Sequence, residues 1–100
     1  MWLETVVLVA KDGYDARLRR MIKTRVRLRS ESQGCAKSWM GESGSSKGTF
    51  LLQALYEVED AIGLALKSVA SLDEKDGGLE SVLNGPPLVG IFEVDGESLL

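Results

Sequence analysis

All six arginines of the chain fall between Arg17 and Arg29, together with Lys23, and no Asp or Glu interrupts that stretch. Lys23, Arg25, Arg27 and Arg29 alternate with Ile22, Thr24, Val26, Leu28 and Ser30. Residues two apart on an extended chain lie ~6.6–7 Å from one another, close to the phosphate spacing of a nucleic-acid strand, so the pattern suits RNA, DNA or an acidic protein surface. Arg17, Arg19 and Arg20 extend the patch. The competing reading is a solvated sheet face that discourages edge-to-edge association. It could also pair with acids elsewhere, such as Glu57, Glu59, Asp60 or the Asp73, Glu74 and Asp76 cluster. No aromatic residue stands between Arg17 and Arg29 to stack on bases.

Catalytic constellations are scarce. The chain has no histidine and a single cysteine, Cys35, which removes most proton shuttles, most transition-metal sites and every Ser-His-Asp or Cys-His pair. One thiol makes no intramolecular disulfide and reads as a small apolar side chain. The acid pairs Glu57/Asp60 and Glu93/Asp95 have no partner nucleophile, and the spacing of Asp73, Glu74 and Asp76 lacks the calcium-loop pattern. These residues lead to the expectation of a protein that is not an enzyme, with no catalytic residue, metal or cofactor.

Gly41-Glu-Ser-Gly-Ser-Ser-Lys-Gly-Thr49 resembles the phosphate-binding loop of P-loop nucleotidases, whose G-x-x-x-x-G-K-[ST] pattern cradles phosphates at a helix N-terminus. Ser46 stands where the second glycine belongs, Gly48 takes the place of the Mg²⁺-binding hydroxyl, and Thr49 comes one position late. What the resemblance leaves is a weak anion site at Lys47, Gly48 and Thr49, at the start of the helix that follows.

The elements that would carry these residues are read from periodicity. Leu3 to Ala10 is rich in β-branched valine and ends at the turn signal Lys11-Asp12-Gly13, which predicts a buried strand. Tyr14, Leu18, Met21 and Ile22 recur at helical spacing, predicting a short helix, and the alternation from Ile22 to Ser30 predicts a second strand with a basic outer face. A single helix from residue 14 to 30 would scatter the arginines around its cylinder and leave a poor apolar stripe. Ser30 to Gly48 reads as a flexible Gly/Ser loop, with room for a short strand from Cys35 to Met40 anchored by Trp39.

Thr49 then caps a long helix reaching Leu72, because Leu51, Leu55, Val58, Ile62, Ala65, Val69 and Leu72 fall at alternating steps of four and three. Leu52, Tyr56 and Leu64 lie beside that seam and form a docking strip. One helical turn over Leu79–Leu83 and a last strand over Leu88–Val94, entered through Gly85-Pro86-Pro87, complete the chain.

A chain of 100 residues, 44% of them apolar, predicts one α+β domain over residues 1–100. Its small, mostly antiparallel sheet is covered on one face by one long and one or two short helices. The order strand, helix, strand, strand, long helix over residues 2–72 looks like that of the small dimerising subunit of the KEOPS tRNA-modification complex. That resemblance implies an accessory, dimer-forming role. Charge is sorted along the chain, with ten basic and five acidic residues in 1–48 and two basic and ten acidic in 49–100.

The function these features predict is a non-catalytic oligomerising or adaptor subunit. It would associate through the helix at about 49–72 as a homodimer or with a protein partner, and present its basic surface to an acidic one. The alternative is an RNA- or DNA-binding module, as in an accessory subunit of a tRNA-modifying complex. The longest uninterrupted apolar stretch, Val6–Ala10, is far short of the roughly 20 residues of a membrane span. With no signal-peptide pattern at the start, the cytoplasm is the expected compartment and no membrane is expected as a partner.

Overall fold

The computed structural model describes residues 1–99, except for the side chains of residues 98 and 99. The chain runs β1 (Trp2–Val9), α1 (Asp15–Ser30), β2 (Cys35–Glu42), β3 (Thr49–Tyr56), α2 (Asp60–Asp76), a 3₁₀ turn (Leu79–Ser81), β4 (Leu88–Glu93) and a final turn α3 (Gly96–Leu99). The strands form one antiparallel sheet in the order β2-β3-β1-β4. This is the βαββαβ arrangement of a ferredoxin-like fold. The expected class, an α+β domain with an antiparallel sheet covered by helices, is the one observed. Among the described residues no helix is long and apolar enough to cross a membrane.

Period-two alternation decides the inner face of the sheet. Glu4, Val6 and Leu8 of β1 and Phe50, Leu52, Ala54 and Tyr56 of β3 point toward the helices and are buried. Beneath α1, Val6, Leu8, Phe50 and Leu52 meet Leu18, Met21, Ile22, Val82 and Leu83 in one apolar cluster. Small residues let α2 approach: Ala61 and Ala65, with Ile62, close over Ala54 and Tyr56. The turn between α1 and β2 also makes room, because Gly34 has φ +88° and a Cβ there would stand 2.6 Å from the Ala61 Cβ.

Three expectations need correction. The predicted short helix and basic strand are one continuous helix, α1. Its inward positions Leu18, Met21, Ile22, Arg25 and Arg29 do recur at helical spacing, and the two arginines among them disguised the stripe. The predicted long helix from Thr49 is a strand followed by a later helix. Thr49 opens β3, and only Ile62, Ala65, Val69 and Leu72 of the proposed seam lie on α2. The run from Phe50 to Tyr56 is apolar on both faces of a central strand, and such a run satisfies both periods. The third correction touches only the extent of the loop: the expected short strand from Cys35 to Met40 is present as β2, which runs on to Glu42, so the loop at about 30–48 is shorter than expected.

The docking strip dissolves with the second correction. Leu52 and Tyr56 are buried on β3, whereas Leu64 sits exposed on α2. β4 is covered least. Leu88, Val89, Ile91 and Phe92 are all exposed, although they alternate between the two faces of the sheet.

Candidate functional site

Two charged clusters anchor α1, one to the sheet and one to α2. Glu4 occupies an inward position of β1 and is 2% exposed. Arg29, the penultimate residue of α1, donates from Nε to Glu4 Oε1 at 2.9 Å and from Nη2 to Oε2 at 3.0 Å. The Tyr56 hydroxyl donates to Glu4 Oε1 at 2.7 Å. Burial opposes the charge on Arg29, but the hydrogen bonds and attraction of Glu4 outweigh it and hold its pKa above the ordinary value. Burial first, and then the bond to Glu4, push the Tyr56 phenol well above its usual range. Cys35 lies beside this group, and burial raises its thiol pKa.

The second cluster ties α1 to α2. Arg25 donates to both oxygens of Asp76, at 2.9 and 3.2 Å, and also to Asp73 Oδ1 and to the Met21 carbonyl. Its guanidinium is buried, so desolvation works against the charge; the two aspartates reverse that and raise its pKa. The hydrogen bond from Arg25 is likewise the main cause that lowers Asp76.

Beside this pair opens the larger cleft, of about 470 Å³, where the C-terminal end of α2, the 3₁₀ turn and the start of β4 diverge. Gly77, at φ +83°, ends α2 in a left-handed cap and turns the chain sharply enough to leave the space. Leu79, Leu83 and Pro87 supply apolar lining, and Asp73, Glu74 and Glu80 supply an acidic rim. A second cleft of about 270 Å³ shares Glu80, Leu83 and Pro87. The combined space is of the size that takes a drug-sized organic molecule.

The residues expected to bind anions are dispersed. Arg17, Arg20, Lys23 and Arg27 are exposed on α1, where steps of 100° replace a straight row of cations. Arg27 reaches Glu31, and Arg19 binds Glu42 at 2.8 Å with its guanidinium 5.5 Å from the Phe50 ring centroid. Arg25 and Arg29 are themselves buried and spent on carboxylates of their own chain, so the proposed binding surface loses two of its members. The alternative of pairing with the Asp73–Asp76 cluster is what Arg25 does.

Lys47, Gly48 and Thr49 sit in a β-hairpin and not at the start of a helix of their own, and the carboxylate of Asp15, the first residue of α1, lies 3.1 Å from where a Gly48 Cβ would be. The helix expected to open at Thr49 is a strand, and the α1 terminus beside Gly48 already holds an acid, so the expected basis of the anion site is gone. Glu4 escaped the sequence reading, although its even parity with Val6 and Leu8 signals an acid that must find a buried cation.

No family model and no curated protein matches the sequence. Solved structures share its fold. Rv0793 from Mycobacterium tuberculosis superimposes with a TM-score of 0.81 at 16% identity, over 93% of each chain. A Nitrosomonas europaea protein proposed to be an antibiotic biosynthesis monooxygenase gives 0.82 at 13% identity, over 94% of this chain and 98% of the other. SnoaB from Streptomyces nogalater, a cofactor-independent oxygenase, gives 0.74 at 14% identity, over 93% of this chain and 92% of its own.

The likeness is one of fold, and it corrects the functional expectation. A non-catalytic adaptor joined through a helix at 49–72 does not stand, since that helix does not exist. The nucleic-acid module and its tRNA-modifying role fall with the basic strand. Nor does the expectation of a protein that is not an enzyme hold beside neighbours of this kind, which include an oxygenase.

Proposed function

We propose that this chain is an enzyme that oxygenates an organic substrate without a cofactor, of the kind represented by SnoaB and the antibiotic biosynthesis monooxygenases. What supports the reading is the agreement of fold over more than nine-tenths of both chains. Where no cofactor relays electrons, the substrate itself must reduce O₂. A methylene carbon becomes a carbonyl, one oxygen atom stays on it, and the other leaves with the two hydrogens as water.

Such a carbon first gives up a proton, which favours a CH₂ group flanked by hydroxylated aromatic rings. The protein must then offer a base beside a water-poor floor. The paired clefts have both parts. Leu79, Leu83 and Pro87 receive the rings, and Glu80, which borders both clefts and makes no ion pair among the described residues, takes the proton. Asp73 and Asp76, held by Arg25, fix the α2 end of the cleft. The reading keeps the cytoplasm, expected from the sequence, as the proposed compartment.

The test is oxygen uptake with a panel of polyhydroxylated aromatic compounds bearing such a methylene, repeated under oxygen-18 with mass spectrometry of the products. Uptake above the autoxidation rate, one labelled oxygen per product, and a kcat lowered roughly 10²–10⁴-fold in Glu80→Gln are expected. Uptake equal to the uncatalysed rate across the panel would overturn the reading.

A further inference from the structure

Asn84 is the single asparagine of the chain and stands directly before Gly85. The two residues bend the chain between the 3₁₀ turn and β4, at the mouth of the smaller cleft, which Gly85 borders together with Glu80, Leu83, Pro86 and Pro87. The bend is held from both sides. Ala10 bridges Leu83, the Asn84 N–H donates to the Val9 carbonyl at 2.8 Å, and beyond the two prolines Leu88 pairs with Val7. Between those anchors the backbone is bare. Asn84 is exposed, and nothing lies within 4 Å of where a Gly85 Cβ would be. Among the described residues neither the Gly85 N–H nor the Asn84 side chain makes a hydrogen bond. Gly85 holds φ +103°, a conformation that other residues resist, so the bend itself calls for glycine after the asparagine.

We infer that Asn84 is a modification site built into the fold, where the Gly85 nitrogen displaces the side-chain amide and turns a neutral loop at the cleft mouth into an acidic one. Folding ordinarily shields an asparagine by committing the next backbone N–H to a carbonyl, which keeps that nitrogen from acting as a nucleophile. Here it is uncommitted. A solvent base removes the Gly85 amide proton and the nitrogen attacks Asn84 Cγ. The Cγ–Nδ2 bond breaks, its electron pair takes up a proton, and ammonia leaves behind a five-membered succinimide. Water then adds to one of the two ring carbonyls and breaks a ring C–N bond. Opening at Cγ restores the normal peptide and leaves aspartate. Opening at the main-chain carbonyl carbon routes the backbone through Cγ and leaves isoaspartate. In sum one water is consumed, one ammonia is released and no electron is transferred. Either product ionises at neutral pH and adds one negative charge to the −3 of the chain.

Two other places in the chain set an amide or acid before glycine, and neither is poised in the same way. At Asp76-Gly77 the carboxylate accepts from Arg25 and from the Gly78 N–H, and an acid held ionised offers no leaving group. Gln33 precedes Gly34, but its longer side chain must close a six-membered ring. The products at Asn84 suit the fold. The bonds on either side leave Gly85 free, and residues 84–87 span the gap between Leu83 and Leu88, so the loop takes up the extra main-chain atom of isoaspartate while both anchors stay paired. What changes is the mouth of the smaller cleft, in shape and in charge, on a rim that Glu80 already makes acidic. That consequence does not depend on what the clefts turn over.

The full chain, kept at mildly alkaline pH and physiological temperature, should convert over days to weeks. Ion exchange should resolve an acidic form, and peptide mass spectrometry should place at Asn84 the mass gain of an NH exchanged for O. Enzymatic methylation of isoaspartyl carboxyls should label the same position. Circular dichroism should stay that of the fresh protein, so that the conversion is one of the folded chain. Its rate should match that of a free peptide spanning residues 82–87, because the fold withholds neither reacting group. Asn84→Gln should keep its mass over the same period, and Asn84→Asp should elute with the acidic form. A folded protein that keeps its amide long after the peptide has lost it overturns the inference, and so does a mass gain confined to Gln33 or Gln53.

Discussion

Replacing Arg29 by methionine removes the guanidinium from a carboxylate that folding has already taken out of water. Glu4 is 2% exposed and Arg29 5% exposed, and two hydrogen bonds of 2.9 and 3.0 Å join them. After the change, the Tyr56 hydroxyl still donates to Glu4, but the two guanidinium hydrogen bonds are gone. A buried charge stripped of its partner costs about 3–5 kcal/mol, a large share of the total stability of a small domain. Replacing both, as Glu4→Leu with Arg29→Met, removes the desolvation cost of two charges and alone would be neutral or stabilising. That gain is set against ~1–3 kcal/mol for a Tyr56 hydroxyl left without an acceptor. The double variant should therefore lie near wild type, and adding Tyr56→Phe should bring it to wild type or above. Urea unfolding followed by tryptophan fluorescence reads each stability, with a constant m-value confirming that only stability has changed. A loss below ~1 kcal/mol for Arg29→Met, or strictly additive effects in the double variant, would refute the view that α1 is anchored by this pair.

Three more outcomes follow from the same geometry. Tyr56 has a raised pKa, so folding keeps its phenol protonated where the unfolded chain ionises. That contribution is complete below the ordinary value of 10.0 and is lost as pH rises from there toward the folded value, by up to about 1.4 kcal/mol per pH unit. Urea midpoints across the alkaline range should show this slope, and Tyr56→Phe should remove it. Gly34→Ala combines a left-handed φ with a 2.6 Å approach to the Ala61 Cβ and should cost more than ~1 kcal/mol. Gly13→Ala, with a similar φ and nothing within 4 Å, should cost less, as thermal melts would show. Finally, Leu52→Ala should lose about 2–5 kcal/mol, whereas Leu64→Ala, on the exposed face of α2, should stay within ~0.5 kcal/mol. Equal losses would contradict the assignment of Leu52 to a central strand.

The first and last strands of the chain were legible because each carries its own punctuation. Val6, Val7 and Val9 favour an extended chain that Gly13 ends, and Pro86 and Pro87 force an extended approach to Leu88. The order of strand and helix patterns likewise pointed to an α+β class with an antiparallel sheet. Residues 22–30 and 49–56 resisted, because each fits two periods and local pattern alone does not choose between them. The choice was made by distant partners. Arg25 and Arg29 can occupy the inward face of a helix only because the fold brings Asp73, Asp76 and Glu4 to them across 25 to 51 residues of chain. Phe50 to Tyr56 became a strand because β1 and β2 each offer it a free edge. The charged run therefore reads in sequence as a surface, but part of it is interior. A buried guanidinium is tolerable only beside a carboxylate, and the identity of that carboxylate is settled by tertiary structure alone.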